Sequence, residues 1–522
     1  MSEPTLAMPS SPASARATVP VPLVSALGLA KLRPRSTRRE TVEYGVGYFL
    51  FAAGRLLRDV AVARILGPAA FGVWSALLVY RQYTNYSDLG FTNGLGRILP
   101  KLLKDGKARE ASRAMGASWV VAMAGTTVFA LAMASWFLPS FRSYSAVGLW
   151  GIATVTALMF IDKQYMYSCV VFRSTHRVGE SGLWMGLLGL LELALGILLT
   201  RRFGLYGLFV SASLAALTTV ACMYVRQPLR GNFGLDRTSF HALVIPSVTL
   251  MGLGLGNIAI HNVDRLLILW AFGPGAKLGQ YQLAASLSLV VSQLPYILLT
   301  VLVPKLFRFG RESRTNLRPY FLLPTAIVAI LGVVVGSVAW ISLPAVLPWM
   351  LPKYSSAAPL VRLLLLGEVY FAIAMVPETV MVASDRGLQS LWLRCFTIGS
   401  GLGVCGWALS HGYGLSAVAG CMCAAQATGA LMVGWMAAHA TKIPPFRYLL
   451  VACAPVLYAA VLLTGISRFV PEYRSPFQTV LTKLVVCGLA LSPLAAVPLW
   501  FFGVRLPGMR QVMIYLGWSE VA

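Results

Sequence analysis

Apolar segments of about twenty residues recur along nearly the whole 522-residue chain. A helix of this length crosses the hydrocarbon core of a bilayer, where each backbone polar group must be hydrogen-bonded within the protein. The sequence therefore predicts an all-α polytopic membrane protein with about fourteen transmembrane helices. We place them at 43–65, 70–90, 115–138, 146–169, 181–200, 205–225, 242–269, 279–303, 320–342, 357–383, 388–410, 415–437, 447–467 and 478–502.

Two stretches about two hundred residues apart carry the same pattern. Residues 63–74 read ARILGPAAFGVW and residues 269–281 read LWAFGPGAKLGQY, so each has a Gly-Pro pair followed by another glycine. Farther along, PKLLKDGK at 100–107 matches PKLFRFGR at 304–311 at nearly the same offset. Such internal duplication is typical of membrane transporters. We therefore predict two six-helix lobes related by a parallel pseudo-twofold repeat, plus two C-terminal helices.

The duplication also predicts how the chain is divided. We expect a disordered cytoplasmic tail rich in Ser, Pro and Ala, an N-lobe with helices 1–6, a cytoplasmic linker, a C-lobe with helices 7–12, and a last part with helices 13–14 and the cytoplasmic C-terminus. In that order, these parts are 1–40, 41–225, 226–241, 242–441 and 442–522.

The net charge of +25 could indicate a nucleic-acid-binding protein, but its distribution favours another explanation. Most of the 43 Lys and Arg residues fall in the tail and in alternate connections between the apolar segments. This asymmetry follows the positive-inside rule and predicts that both termini are cytoplasmic. We expect contacts with anionic membrane lipids and none with nucleic acid.

Charged residues inside the apolar segments are the candidates for function, because a charge at mid-bilayer is costly unless it faces a cavity or a partner. The first predicted helix carries Arg55, Arg58 and Asp59 on one stripe. An Arg55–Asp59 ion pair is one interpretation, although two arginines against one acid leave a positive charge. The second predicted helix adds Arg81 and Asn85 on one face.

The second half repeats this polarity. Asn257 and Asp264 share a face of the seventh predicted helix, and Arg265 lies one step round. Gln282 and Gln293 lie in the eighth helix. Helices 1, 2, 7 and 8 thus hold most of the intramembrane polarity. We expect a water-filled cleft between the lobes with an excess of positive charge.

Such a cleft suits an anionic ligand, and guanidinium groups can grip phosphate with two hydrogen bonds while keeping their charge. The arginines and amides are therefore the predicted substrate-binding residues. Four acids are instead candidates to couple transport to H⁺ or Na⁺: Asp59, Asp264, Glu368 and Glu378. The membrane potential is the other predicted driving force, and we expect no cofactor and no metal.

These features resemble the lipid-linked oligosaccharide flippases (Wzx-type polysaccharide biosynthesis proteins) of the multidrug/oligosaccharidyl-lipid/polysaccharide exporter superfamily. The resemblance is strongest over 44–113, with ARILGPAAFGVWSALL and SDLGFTNGLGR, and it continues from 257 through DRLLILWAFGPGAKLGQYQLA. It covers roughly residues 43–442. Relatives that flip the peptidoglycan precursor use arginines in a central cavity. By position in the helices, this implies a binding role for Arg55, Arg58, Arg81 and Arg265.

The resemblance implies that a polyprenyl-diphosphate-linked oligosaccharide moves from the cytoplasmic to the periplasmic leaflet of a bacterial inner membrane. The product would be an exopolysaccharide, capsule or O-antigen repeat unit. The transport mechanism would be alternating access of the two lobes by a monomer. Polysaccharide polymerase and export machinery are candidate partners.

Two other functions remain open at this point. A multidrug or metabolite antiporter would share the fold, but a cationic drug favours an acid-rich cavity. A membrane polysaccharide polymerase or ligase usually needs a long external loop with paired acids for acid–base chemistry. The predicted external connections are short, the longest at 342–357 and 467–477, so we predict that the protein is not an enzyme.

Overall fold

The computed structural model describes residues 37–142, 145–227, 237–293, 319–384, 386–471 and 476–501, together with 229, 231, 234, 295 and 296. Its main helices are α1 (Thr37–Tyr83), α2 (Phe91–Lys104), α3 (Ala108–Arg142), α4 (Ser145–Ser174), α5 (Val178–Arg226), α6 (Arg237–Ile260), α7 (Val263–Phe272), α8 (Ala276–Ser288), α9 (Pro319–Met350), α10 (Ala358–Ala383), α11 (Gly387–Ser410), α12 (Leu415–Ala440), α13 (Pro445–Phe469) and α14 (Pro476–Phe501). The described residues contain no β-strand, and the predicted all-α fold is confirmed.

Each of the fourteen predicted apolar segments is mostly helical where it is described. The first two segments form the single helix α1, and the fifth and sixth form α5. Each long helix kinks at a glycine with a positive φ, Gly67 in α1 (φ 76°) and Gly204 in α5 (φ 59°). Within the described part of the chain, eight helices are long and apolar enough to cross a membrane. The protein is therefore a multi-pass membrane protein.

Two predicted helix boundaries are wrong. The second segment does not continue to residue 90, because α1 ends at Tyr83 and a short 3₁₀ turn, Thr84–Tyr86, follows. Leu89 and Gly90 then adopt left-handed conformations that start α2 in a new direction. The seventh segment is also not one helix, because α6 ends at Ile260 and α7 begins at Val263.

Other predictions fall partly or wholly outside the described residues. They concern the tail up to residue 36, the second PKL motif at 304–311 and the C-terminus after 501. Helix α1 begins at Thr37 and α6 at Arg237, within the ranges assigned to the predicted tail and linker.

Glycines bring α1 and α5 into close contact. A Cβ atom on Gly47 would lie 1.9 Å from the carbonyl oxygen of Gly182, and one on Gly54 would lie 2.6 Å from that of Gly189. From the other side, a Cβ on Gly189 would lie 2.6 Å from Cα of Phe51. Small residues at such positions let transmembrane helices pack backbone against backbone. This contact fixes the position of α5 relative to the charged stripe of α1.

The two Gly-Pro segments have the same backbone conformation and touch each other. Gly67 has φ 76° and ψ 172°, and Gly273 has φ 71° and ψ 179°. A Cβ on Gly72 would lie 2.0 Å from the carbonyl oxygen of Gly275, and one on Gly279 would lie 2.1 Å from that of Pro68. These local matches are consistent with the predicted repeat. They also place one contact between the chain's two halves at the kink of α1 and the C-terminal end of α7.

A second contact between the halves lies where α2 packs on α6. A Cβ on Gly90 would lie 2.5 Å from the carbonyl oxygen of Ser247, and one on Gly94 would lie 2.2 Å from Oγ of the same serine. The largest buried apolar cluster also includes residues of both halves, among them Trp74 and Tyr281. The two halves of the described chain are thus held together at the Gly-Pro segments and at the α2–α6 contact.

Candidate functional site

Four charged side chains form a cluster between α1 and α5, and we call Arg55, Arg58, Asp59 and Glu192 the central cluster. Arg55 donates from Nε and Nη2 to the two carboxylate oxygens of Glu192, at 2.9 and 3.3 Å. Arg58 donates from Nη1 to Glu192 at 2.7 Å and from Nη2 to Asp59 at 2.7 Å. Glu192 therefore bridges two guanidinium groups.

The helices explain this geometry. Arg55 and Arg58 are three residues apart on α1, so their side chains leave the same face. The close approach of α1 and α5 brings the short side chain of Glu192 within reach. A Cβ on Gly196 would lie 3.0 Å from Cγ of Arg58, so the α5 glycines also leave room for the arginine stem.

The members of the central cluster differ in accessibility. The side chain of Glu192 is 0% exposed and that of Arg58 is 4% exposed, whereas that of Arg55 is 38% exposed. The guanidinium of Arg55 also lies 4.7 Å from the ring centroid of Phe51, within cation–π range. Arg55 is therefore the arginine of this cluster that an incoming ligand can reach.

Two expectations about these charges are wrong. Arg55 pairs with Glu192, and it is Arg58 that contacts Asp59. The central cluster has two cations and two carboxylates, so its formal charge is balanced and no positive excess remains. The reason lies in the tertiary structure. Glu192 comes from the fifth predicted helix, whereas the polar residues were compared only in helices 1, 2, 7 and 8.

Arg81 is paired in the same way. Its Nε and Nη2 donate to the two carboxylate oxygens of Asp162 on α4, at 2.5 and 2.7 Å. Asn85 contributes through its backbone, since its carbonyl oxygen accepts a hydrogen bond from Lys163 Nζ at 2.9 Å. Lys163 also lies 3.3 Å from Asp88, which caps the start of α2. This part of the predicted site is a network of buried ion pairs.

Hydrogen bonds join the two halves across the polar interface. Tyr48 donates to Gln293 at 2.8 Å. Ser286 donates to Asp59 at 3.0 Å and accepts from Gln282 at 3.2 Å. The two predicted glutamines and the aspartate of the central cluster thus lie along the contact between α1 and residues 276–293.

The break between α6 and α7 carries another polar group. Asp264 accepts a hydrogen bond from Tyr281 at 2.6 Å and one from the backbone N–H of Arg265 at 2.8 Å. Arg265 donates from Nη1 to Asn262 at 3.3 Å, and its Nε is buried with no partner among the described residues. Asn262 also donates to Gln82 in the first half at 2.6 Å. The predicted Arg265 thus lies at the lobe interface, next to a broken helix.

The remaining predicted residues lie deeper in the second half. His261 lies 3.3 Å from Glu368, and Arg394 of α11 contacts both Asn257 and Glu378. Asn257 and Asp264 were expected on one helical face, but the break separates them and each contacts a different helix.

Two cavities stand out among the described residues, and neither is lined by Arg55, Arg58, Arg81 or Arg265. One has a volume of about 20 Å³ and is lined by Glu378, Arg394, Ser390 and Gln426, among others. That volume holds about one water molecule.

Sequence reasoning missed the acids and one arginine that complete these groups. Glu192 and Asp162 neutralise the candidate arginines, and Arg394 neutralises Glu378. The available signal was the same as for the arginines, namely a charge inside an apolar segment. In the described part of the chain, no group of three His, Cys, Asp or Glu side chains is arranged to hold a metal ion.

Comparison with known proteins agrees with this architecture. A family model described as polysaccharide biosynthesis protein matches residues 56–309, which confirms the family resemblance over that region. A comparison with curated protein sequences finds no match.

Solved structures of the multidrug/oligosaccharidyl-lipid/polysaccharide exporter superfamily share the fold. The lipid II flippase MurJ in an inward closed conformation has a TM-score of 0.65 at 12% identity, covering 89% of this chain and 100% of that one. A mutant of the Vibrio cholerae MATE transporter VcmN has a TM-score of 0.55 at 15% identity, covering 81% and 97%. A transporter of the superfamily from Pyrococcus furiosus has 0.51 at 13% identity, covering 79% and 95%. The chain therefore has the fold of these membrane transporters.

Proposed function

We propose that this protein is a flippase for polyprenyl-diphosphate-linked oligosaccharides, moving them from the cytoplasmic to the outer leaflet of a bacterial inner membrane for surface polysaccharide assembly. The observation that carries the proposal is the guanidinium pair of Arg55 and Arg58, whose N–H groups donate to one carboxylate with the geometry in which they would bind a phosphate group. The family match and the fold support it.

In this proposal the described conformation is a closed state. With both termini in the cytoplasm, the Gly72–Gly275 contact lies at the outer face and the α2–α6 contact at the inner face. Opening the inner contact would admit the diphosphate and the sugars to the arginines, while the prenyl chain stays in the lipid. Opening the outer contact would then release the head group.

The membrane potential, negative inside, favours outward movement of the diphosphate by roughly 2.3 kcal/mol per charge per 100 mV. Because the formal charges of the central cluster balance, the potential would act mainly on the ligand. Among the four candidate coupling acids, Asp59 and Glu378 contact arginines. Asp264 and Glu368 contact a tyrosine and a histidine instead, so they are the stronger candidates to carry a proton.

Deletion of the gene tests the proposal in cells. We expect lipid-linked repeat units to accumulate on the cytoplasmic side and surface polysaccharide to be lost. Complementation with the wild-type gene should restore export, and Arg55→Ala should not restore it at equal membrane abundance. Normal surface polysaccharide in the deletion strain would contradict the proposal.

A drug or metabolite antiporter is the second candidate function. The balanced charge of the central cluster favours it more than the sequence did, because a cationic cargo meets no net positive charge there. The same deletion strain separates the two functions. An antiporter predicts hypersensitivity to cationic drugs with normal polysaccharide.

A further inference from the structure

Glu192 occupies the position that a phosphate oxygen would need in order to meet both arginines. Its Oε2 accepts from Arg55 Nε at 2.9 Å and from Arg58 Nη1 at 2.7 Å. Its Oε1 accepts from Arg55 Nη2 at 3.3 Å. A carboxylate that takes two parallel bonds from a guanidinium uses the same donor geometry as a phosphate group.

The side chains of Glu192, Arg58 and Arg55 differ in their freedom to move. Glu192 is 0% exposed and sits on α5, where Gly189 packs directly on the α1 backbone. Arg58 is buried and keeps a second carboxylate, Asp59. Arg55 is 38% exposed and carries a long flexible side chain, so it is the group that can exchange partners.

We propose that Glu192 is a positioning residue that stands in for the ligand's phosphate in the empty transporter and limits the affinity of the site. This inference rests on the proposed function and specifies how its site is regulated. Glu192 holds Arg55 and Arg58 charged and oriented without a ligand. When the ligand enters, Arg55 transfers to the phosphate, while Arg58 stays on Glu192 and Asp59.

This exchange of partners means that a ligand needs enough negative charge to displace Glu192 from Arg55. A ligand must compete with the carboxylate of Glu192 for Arg55. A diphosphate diester carries two negative charges, and a phosphate diester carries one, so the diphosphate competes more strongly. Releasing Arg55 from Glu192 costs the same for both ligands, so Glu192 lowers the affinity for both, and the weakly bound singly charged lipids of the membrane fall below the affinity needed for binding. The lower affinity also helps release.

The test compares binding of two synthetic lipids to purified full-length protein in nanodiscs of zwitterionic lipid. The probes are geranylgeranyl-diphosphoryl-glucose and geranylgeranyl-phosphoryl-glucose, which differ by one phosphate. The variants are Glu192→Gln, Glu192→Asp and Arg55→Ala. Glu180→Gln is the matched control, since Glu180 lies on the same helix and pairs with Arg177 at its N-terminal end.

For Glu192→Gln we expect Kd for the singly charged lipid to fall about tenfold, which is about 1.4 kcal/mol. Kd for the diphosphate lipid should fall at least as much, because removing a negative charge relieves more repulsion for the ligand with two charges. Glu192→Asp, whose carboxylate reaches less far, should change both values in the same direction by a smaller factor. If Glu192→Gln does not fold, the Kd values of Glu192→Asp test the inference instead.

A purely structural Glu192 would never tighten binding when it is removed. This inference alone would be overturned if folded Glu192→Gln and Glu192→Asp bind both lipids no more tightly than wild type does. In that outcome the wild-type protein still binds the diphosphate lipid and Arg55→Ala does not. If folded wild-type protein binds neither lipid, the proposed function and the inference both fail.

Discussion

At the residue scale, the central cluster combines a buried arginine with an exposed one. Arg58 is 4% exposed and contacts two carboxylates, whereas Arg55 is 38% exposed and contacts one. A buried ion pair gains little stability as a whole, but removing one partner leaves an uncompensated buried charge. The two arginines should therefore differ in what their removal does to the protein.

We expect Arg58→Ala to lower the free energy of unfolding by about 3–5 kcal/mol, because Asp59 and Glu192 lose a buried partner. Arg55→Ala should cost less, because its side chain is only partly buried, yet it should abolish export. Thermal unfolding in detergent and surface-polymer assays measure the two effects. Lys107→Ala is the control, since its exposed ion pair with Glu110 should contribute little. Equal stability of Arg58→Ala and wild type would contradict this account.

At the element scale, the α1–α5 contact decides whether the central cluster can form. Glu192 reaches α1 because glycines on both helices remove the side chains that would separate them. Gly45 and Gly47 lie two residues apart on α1, but a Cβ on Gly45 would meet nothing within 4 Å. The pair therefore provides a test that changes a single methyl group.

Gly47→Ala should destabilise the protein by about 1–3 kcal/mol and reduce export, because the helices must separate and Glu192 must withdraw. Gly45→Ala should leave both properties close to wild type. Thermal unfolding and the export assay again provide the measurements. If both variants behave alike, the close α1–α5 contact is not what positions Glu192.

These elements also show what the sequence could predict. The apolar segments predicted the long helices of the described chain, since length and hydropathy are local properties, and the arginines were recognisable as charges inside such segments. The segments did not predict α2, which lies between two of them. The pairing of Arg55 with Glu192 could not be predicted, because 137 positions separate the two residues and only the α1–α5 packing brings them together. The break at His261 and Asn262 was missed for the same reason, as no proline or glycine marks it.

At the scale of the whole molecule, the duplicated Gly-Pro segments form the contact between the halves at one end. Gly72 leaves no room for a side chain beside Gly275, whereas a Cβ on Gly275 itself would meet nothing within 4 Å. A transporter that alternates between two states must break this contact and restore it. Weakening it should shift the population toward the state that is open at this end.

Gly72→Ala should lengthen the distance between spin labels at Ala69 and Lys277, which are exposed on opposite sides of the contact. Gly275→Ala is the matched control and should keep the wild-type distance. Double electron–electron resonance in nanodiscs gives the distances, in a background without native cysteines. An unchanged distance in Gly72→Ala would mean that this glycine contact does not hold the halves together.

The central claim is that the arginines at the lobe interface carry a lipid-linked diphosphate across the membrane. Its most direct test is to reconstitute the protein in liposomes with the lipid-linked oligosaccharide that accumulates in the deletion strain, and to measure how fast the sugar appears on the opposite leaflet. We predict rapid transfer by wild-type protein, faster when the potential is negative on the starting side, and no transfer by Arg55→Ala. Transfer by wild type no faster than in protein-free liposomes, or equal transfer by Arg55→Ala, would contradict the account.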